Sequence, residues 1–454
     1  MSSRGFKSIA RCTKVFVFIK EESRVAAKKE IGVGLLGMGT VGRGVYRILN
    51  DNKVGIEQKV GVPIKIKKIL VRDLVKNRGL ALSEGLLTTN VSDLLDNPEI
   101  DIIVEVLGGV DQALEYALSA LGKGKSLVTA NKDMIALHGK KLFAAADANS
   151  RDLFFEASVA GGIPIITPLK ECLAANRITQ LIGIINGTTN YMLSRMSKEG
   201  LGFQEALCEA QSLGYAEADP SSDVEGYDAA RKLTILASIA FNTRLRLDQV
   251  FVEGITRVTA EDIAYAANLN YTVKLLAIAR EGSDGIEARV HPALLPKNHP
   301  LAAVNDVYNA IFVTGDAVGD VMFFGRGAGE LPTASAVAAD VMSAARNLVN
   351  NVPGMIGCTC FEEKRVKPMG LTVTKYYIRI NVADRPGVLA SIAFIFGKYQ
   401  VSLASVIQHT SGECAELVLI THNVLEKNLQ DALIEIKELP VVNEVSNVIR
   451  VEGE

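Results

Sequence analysis

Ile31 to Leu36 (IGVGLL) run without a polar interruption, and a glycine-rich turn, Gly37-Met-Gly39-Thr-Val-Gly42, follows at once. Beyond it Val45, Ile48 and Leu49 recur at helical spacing. An unbroken apolar run predicts a buried strand, and recurrence every three to four residues predicts a helix, so this segment reads as strand, glycine turn, helix. The alternation continues with strands over Ile64–Val71, Asp101–Leu107 (ending in Gly108-Gly109) and Ser126–Thr129, and helices over Asp111–Leu121 and Met134–Ala148. Strands alternating with helices give a parallel sheet with right-handed crossovers, a Rossmann-type doubly wound domain over 31–150.

The stretch 151–330 is patterned differently and predicts an α+β unit. Asp152–Phe155 leads into Val159-Ala-Gly-Gly-Ile-Pro164, and Gln180–Ile185 leads into Asn186-Gly-Thr-Thr-Asn190. Gly325-Arg-Gly-Ala-Gly329 opens a long helical pattern over Thr333–Asn347, assigned here to the first domain. A break rich in Asn, Gly, Pro and charge predicts a linker over 350–375. From Tyr376 a smaller unit covers 376–454: strands near Tyr377–Val382, Val401–Gln408, Ala415–Thr421 and Val441–Val451, and helices after Asp384-Arg-Pro-Gly-Val-Leu389 and over Leu425–Glu438. That βαββαβ order is a ferredoxin-like sandwich.

Composition narrows the class. The chain has 454 residues, 48% apolar and 22% charged, enough to bury cores in two to four globular domains. A net charge of −2, no tryptophan and no basic stripe with interleaved aromatics exclude a nucleic-acid protein. With no run of eighteen apolar residues, no spanning helix is expected. Cys12, Cys172, Cys208, Cys358, Cys360 and Cys414 are too scattered for a disulfide framework and point to a reducing, cytoplasmic setting. Cys358-x-Cys360 has no second pair or nearby histidine to complete a zinc site; reduced structural thiols and a redox role both stay open. Residues 1–30 carry eight Lys/Arg and three Glu, and Val15–Ile19 is too short for a signal-peptide core. They read as a disordered extension or an upstream start codon, with an organelle transit peptide as the alternative.

Four motifs carry chemistry. In the glycine turn the first glycine permits the bend, the second admits a pyrophosphate and the third allows close packing, while the helix N-terminus stabilises phosphate charge. At the end of the second strand, Arg72 and Arg78 suit a 2′-phosphate and Asp73 a free ribose; the reading leans to NADP, against a solvated charged loop. Thr129-Ala-Asn-Lys132 ends a strand on the ligand side of the sheet, which makes Lys132 either functional or a surface lysine at a helix start. Finally, Glu217, Asp219, Asp223, Glu225 and Asp228 crowd before Arg231 and Lys232. Asp228 and Lys232 share a helical face, as catalytic groups or as a surface ion pair.

The chain over about 31–350 resembles homoserine dehydrogenase. The resemblance rests on the glycine fingerprint, TANK (129–132), EASVAGGIP (156–164), NGTTNY (186–191), GYAEADP (214–220), DVEGYDAARKL (223–233) and GRGAGELPT (325–333), in that order. DRPGVL (384–389) resembles an ACT domain, a small module that often binds amino acids and regulates its enzyme. The resemblance implies NAD(P)H-dependent, reversible reduction of L-aspartate 4-semialdehyde to L-homoserine. It implies Lys232 and Lys132 as catalytic residues, and Glu217, Asp223, Asp228, Gly187 and Thr188 around the substrate. It implies cofactor contacts at Gly37, Met38, Gly39, Thr40, Val41, Gly42, Arg72, Leu107, Gly108, Lys132 and Gly329, and a sodium ion at Glu156, Val159, Gly161 and Ile163. The middle domain would serve catalysis and dimerisation, the assembly would be a homodimer or homotetramer, and threonine is the candidate effector at the ACT domain. Residues 1–30 depart from the family, whose chains begin near the first strand. The rivals are another Rossmann oxidoreductase, which would have no reason to carry GYAEADP…DAARK, and a non-catalytic amino-acid sensor, which would be expected to have lost Lys232 or Glu217.

Overall fold

The computed structural model describes residues 28–412 and 414–453; most of the basic N-terminal extension, with Cys12, lies outside them. The first sheet has six strands: β1 (Ile31–Leu36), β2 (Ile64–Leu70), β3 (Leu87–Thr88), β4 (Ile102–Glu105), β5 (Ser126–Thr129) and β6 (Leu153–Phe154). Their spatial order is β3-β2-β1-β4-β5-β6, every neighbour parallel. All six β1 residues are buried, as the unbroken apolar run requires. The strand order reverses between β1 and β4, and at such a switch point a crevice opens beyond the strand ends. The sheet is therefore Rossmann-type, as predicted.

The helix Glu330–Val349 completes this domain from far along the chain. It packs on the helix Thr40–Asp51, and Gly44 makes the approach possible: a Cβ there would lie 2.7 Å from both the Ala334 Cβ and the Glu330 carbonyl oxygen. Ala334, Val337, Val341 and Ala344 join Val45 and Leu49 in one apolar core. Arg43 and Arg47 pair with Glu330 at 3.0 and 2.8 Å across the same contact.

The second sheet holds β7 (Ile178–Ile184), β8 (Phe251–Val252), β9 (Tyr271–Gly282), β10 (Gly285–Pro296), β11 (Tyr308–Gly315), β12 (Gly319–Arg326), β13 (Val373–Ala383), β14 (Leu403–Ser411), β15 (Cys414–Thr421), β16 (Val424–Leu425) and β17 (Val442–Val451). Its main order is β12-β11-β7-β9-β10-β17-β13-β15-β14. The sequence pattern reads the tail from Tyr376 as a unit of its own, and its βαββαβ order is present. The structure adds that β17 runs parallel to β10, pairing Ala293 with Arg450 and Leu294 with Val451, so one sheet spans both regions. Such a brief pairing between distant segments leaves no local periodicity to read.

Other differences are local. The strand expected over Asp101–Leu107 is only Ile102–Glu105, because Gly108 and Gly109 turn the chain at φ 81° and 73°. The helix expected from Met134 begins at Lys132, since the Asn131 side chain accepts the Met134 N–H and caps it. The polar helix Lys53–Val60 has too little apolar periodicity to be visible in the pattern. The break after Asn350 is an extended connection tied down by bridges Thr243–Glu362 and Ile286–Val366.

Candidate active site

The glycine turn lies over the switch point. Gly37 has φ 105°, and a Cβ there would meet the Val106 carbonyl at 2.8 Å. A Cβ at Gly42 would meet the Gly37 carbonyl at 2.3 Å, whereas one at Gly39 would meet nothing within 4 Å. The middle glycine thus faces the space a pyrophosphate needs. The helix starting at Thr40 has no side-chain cap and no acidic residue in its first turn, which leaves its N–H groups available to an anion. Thr40 is exposed, Val41 half-buried and Met38 buried at the turn. A cavity of about 680 Å³ continues from Gly37, Met38 and Gly39 past Leu107 to Arg72, Asp73, Lys76 and Arg78. Within it the Asp73 carboxylate already accepts the N–H groups of Val75 and Lys76, at 2.8 and 3.2 Å. Arg78 donates to the backbone of the same turn, and Arg72 is exposed.

Two strand ends and two helices bring the charged groups together. Lys132 opens the helix after β5, while Asp228 and Lys232 lie on the helix Tyr227–Ala240. Asp228 stands between the two lysines: Lys232 Nζ donates to its Oδ2 at 2.6 Å, and Lys132 Nζ lies 3.3 Å from its Oδ1. Lys232 Nζ also donates to the Ile185 carbonyl at 2.9 Å. Burial alone would raise the Asp228 pKa, but the ammonium groups of Lys232 and Lys132 outweigh it and hold the carboxyl at about 2. At neutral pH the cluster is two cations about one anion.

Asn186 extends the network by donating to Asp228 at 2.9 Å and to Asp223 at 2.7 Å. Burial is the main cause that pushes the Asp223 carboxyl up, and the neighbouring Asp228 charge adds to it. Asn186 also caps the helix Gly187–Glu199 by accepting the Thr189 N–H. That fixes Gly187 and Thr188 beside the cluster, where the Thr188 hydroxyl donates to the Tyr215 carbonyl at 2.7 Å. Glu217 is not drawn into the ionic network. Its side chain is exposed, and its backbone carbonyl accepts from Gln211 at 3.1 Å.

The loop after β6 packs under the site. Both oxygens of the buried Glu156 carboxylate accept backbone N–H groups, from Ile165 and Ile166 at 2.6 and 2.7 Å and from Thr167 at 2.8 Å. Ala160 and Gly161 are consecutive left-handed residues, at φ 55° and 49°, between Val159 and Ile163. A Cβ at Gly161 would lie 2.4 Å from the Gly327 carbonyl, so this loop and the 325–329 loop touch backbone to backbone. Gly329, at φ 129°, then caps the helix that packs on the glycine turn's helix.

Reading the sequence alone misses three contributors. Asn186 is one, although it stands first in NGTTNY. Glu105 is another: it ends β4 inside an apolar run, fully buried, and accepts the Thr129 hydroxyl at 2.6 Å and the Leu107 N–H at 2.8 Å. Burial raises its pKa. The third, Asp340, accepts the Glu156 N–H at 2.8 Å, and burial followed by the Glu156 charge pushes its carboxyl well up. A lone acid in an apolar helix or strand is the sequence signal for both buried acids.

A glycine fingerprint on a parallel sheet, facing a lysine-rich polar cluster, defines an oxidoreductase that takes a pyridine nucleotide. Family models match in the same order: the homoserine dehydrogenase NAD-binding domain over residues 37–156, homoserine dehydrogenase over 164–342, and the ACT domain over 376–441. The chain is 45% identical to the homoserine dehydrogenase of Bacillus subtilis over 428 residues, 94% of this chain and 99% of that one. It is 46% identical to that of Synechocystis over 432 residues, covering 93% and 99%. A crystal structure of a homoserine dehydrogenase from Thiobacillus denitrificans superposes with a TM-score of 0.89 at 45% identity, covering 93% of this chain and 98% of that one. A hyperthermophilic archaeal homoserine dehydrogenase in complex with NADPH aligns with TM-score 0.60 at 30% identity, over 69% of this chain and 97% of its own. The chain belongs to the homoserine dehydrogenase family, in the form that carries a C-terminal ACT domain. Among the described residues no helix is long and apolar enough to cross a membrane.

Proposed function

We propose that this enzyme reversibly reduces L-aspartate 4-semialdehyde to L-homoserine with NADP(H) as the preferred cofactor and NAD(H) as the weaker one. The observation that carries the reading is the Lys132–Asp228–Lys232 cluster at the ligand side of a sheet whose glycine turn is open to a pyrophosphate. A bound nicotinamide supplies hydride to the aldehyde carbon. The chain's own task is the oxygen, where negative charge develops. An ammonium group has three donors, and Lys232 spends two on Asp228 and Ile185, which leaves one N–H for the substrate oxygen and a proton to give. Asp228, ionised and tied to Asn186, orients Lys232, while Lys132 adds positive charge that stabilises the developing alkoxide. The exposed Glu217 carboxylate is available to pair with the substrate ammonium group, with Asp223, Gly187 and Thr188 as polar neighbours.

The preference for NADP(H) rests on the charge of the far end of the crevice. Three cations line it, and the one acid there is already engaged by two backbone N–H groups, so it is poorly placed to accept from a ribose hydroxyl. A sodium ion belongs to the same reading. The left-handed turn at Ala160–Gly161 supports a site made of the Val159, Gly161 and Ile163 carbonyls with Glu156, where the ion would brace the loop. With both Glu156 oxygens already accepting, the carbonyls would supply most of the donors. Threonine is the proposed effector at the ACT domain: Gly387, at φ 89°, has nothing within 4 Å of where a Cβ would sit, so backbone is open to a ligand there. Assembly as a homodimer or homotetramer in the cytoplasm completes the proposal.

Initial rates of NADPH and NADH oxidation with L-aspartate 4-semialdehyde, with and without threonine, test it. Turnover that vanishes in folded Lys232→Ala and favours NADPH is the expected result. No turnover with either cofactor would overturn the substrate assignment. Threonine without binding or inhibition up to millimolar concentration would remove the effector, and rates unchanged when potassium replaces sodium would remove the ion.

A further inference from the structure

The connection between the catalytic and ACT regions carries two free thiols, one residue apart. Cys358 and Cys360 are both half-buried. The Arg244 guanidinium donates to the Cys358 sulfur at 3.0 Å. Lys170 donates to the Gly357 carbonyl at 2.9 Å and is held over the Phe143 and Phe155 rings, 5.2 and 5.7 Å from their centroids. Cys360 donates to the Ser238 carbonyl at 3.7 Å, and Ser238 lies in the last turns of the helix that carries Asp228 and Lys232.

Two cations beside a thiol pair disfavour a bound metal cation and favour a thiolate. Among the described residues no three His, Cys, Asp or Glu side chains group as metal ligands, so the pair has no third donor of that kind. The two thiols are also unequal. The neighbouring Cys360 is the largest cause that lowers the Cys358 pKa, with Arg244 and Lys170 adding to it. The same pairing, with burial, pushes Cys360 up. Cys358 is thus the thiol biased toward the anionic, nucleophilic form, and Cys360, one residue beyond, the one biased toward the protonated form.

We propose that Cys358 and Cys360 form a peroxide-sensitive dithiol, with Cys358 as the attacking thiolate and Cys360 as the resolving thiol, and that its oxidation is felt at the catalytic helix. In the first step the Cys358 sulfur attacks one peroxide oxygen. The S–O bond forms, the O–O bond breaks, and hydroxide leaves and is protonated to water. In the second step Cys360 gives up its proton and its sulfur attacks Cys358, the S–O bond breaks, and a second water leaves. The two thiols lose two electrons, which reduce one peroxide to two waters. Closing a disulfide over one intervening residue strains the ring, and strained disulfides are the readily reduced, regulatory kind. The step also removes the Cys360 proton from the Ser238 carbonyl and the thiolate charge from Arg244, so the end of the Tyr227–Ala240 helix, which carries Lys232 six residues before Ser238, loses one tether.

The full-length enzyme treated with one equivalent of hydrogen peroxide tests this. Expected are a loss of two hydrogen masses confined to the peptide containing residues 358–360, and a fall in kcat of about fivefold, the low end for coupling between separate sites, reversed by dithiothreitol. Cys358→Ser and Cys360→Ser, assayed without peroxide, keep the activity of the parent; Cys358→Ser becomes insensitive to peroxide, and Cys360→Ser accumulates a sulfenic acid at Cys358. Iodoacetamide at pH 6.5 labels Cys358 before the more exposed Cys172 and Cys208, and Arg244→Gln slows that labelling. Labelling of Cys172 or Cys208 first, or no disulfide, overturns the pair. A disulfide that forms with kcat unchanged overturns its link to catalysis.

Discussion

Lys132, Asp228 and Lys232 at the site, and Arg280, Glu452 and Arg289 where the ACT region joins the catalytic sheet, are both two cations about one carboxylate. At the junction Arg289 and Glu452 are almost fully buried, 2.8 Å apart, and Arg280 reaches the second Glu452 oxygen at 2.8 Å. Every side of the Arg289 guanidinium is used, with Glu287 on Nη1 and the His291 ring on Nε at 3.2 Å. Burial pushes His291 well below its usual pKa, and the neighbouring arginines push the same way, so it accepts as a neutral ring. At the site, by contrast, Lys132 is 32% exposed and Lys232 keeps an unspent donor. Arginine holds its proton under all ordinary conditions, and its fork suits fixed carboxylates; lysine is a rotating donor that can give a proton away. The same charge pattern thus becomes structural when saturated with arginine and chemical when left incomplete with lysine.

The largest expected effect removes the unspent donor. Lys232→Ala should lower kcat by about 10²–10⁴-fold, the usual range for a positioned acid, in the protein that remains folded. Lys132→Ala should cost less, because it stands farther from Asp228. Steady-state kinetics beside circular dichroism checks both. A variant of Lys232 that keeps near-normal turnover would erase the contrast from the catalytic side.

The junction should answer in the opposite currency of measurement. Glu452→Ala leaves two buried or half-buried guanidinium groups without their carboxylate, and removing one partner of a buried pair costs about 3–5 kcal/mol. A urea midpoint lowered by that amount, with kcat retained in the protein that remains folded, is the expected result. Burial raises the Glu452 pKa by itself, but Arg289 and Arg280 outweigh it and lower the carboxyl. Its contribution therefore belongs to pH above the unfolded carboxylate range and fades as acid protonates it.

How much of this contrast is legible in the chain depends on range. The glycine turn, TANK and the Asp228–Lys232 spacing are local patterns, so β1, the site lysines and their helix can be read directly. Asn186 was within reach, since an Asn before Gly-Thr-Thr is an N-cap signature. The junction could not be read. Arg289, Arg450 and Glu452 sit in segments that look like ordinary alternating strands, and only the β10–β17 pairing brings them together. Glu105 and Asp340 are single acids whose partners lie across the fold, and periodicity says nothing about such contacts.

A subtler test uses pH on the site cluster. The Asp228 carboxyl is held at about 2 against an ordinary 3.8, which corresponds to about 2 kcal/mol of folded-state stabilisation by linkage. The sign follows from a depressed folded pKa: the stabilisation is complete above the unfolded value and is lost as pH falls toward the folded one. Asp228→Asn should therefore be less stable than the parent at neutral pH, and the gap should close between about pH 4 and pH 2. A gap independent of pH would mean that Asp228 acts through its shape and hydrogen bonds rather than its charge.

The smallest effect comes from an ion pair left in solvent. Lys198 Nζ lies 3.1 Å from Asp306, within hydrogen-bond distance like the pairs above, but the two side chains are 52% and 48% exposed. Water screens the attraction, and two long side chains lose freedom to hold the geometry, so Lys198→Met should change stability by about 1 kcal/mol or less. Urea midpoints in low and high salt check it, and salt should shrink even that difference. If Lys198→Met cost as much as Glu452→Ala, distance alone would set the worth of these pairs. The contrast between the junction and the site would then lose its basis, which is that burial and unspent donors decide what two charges at hydrogen-bond distance do.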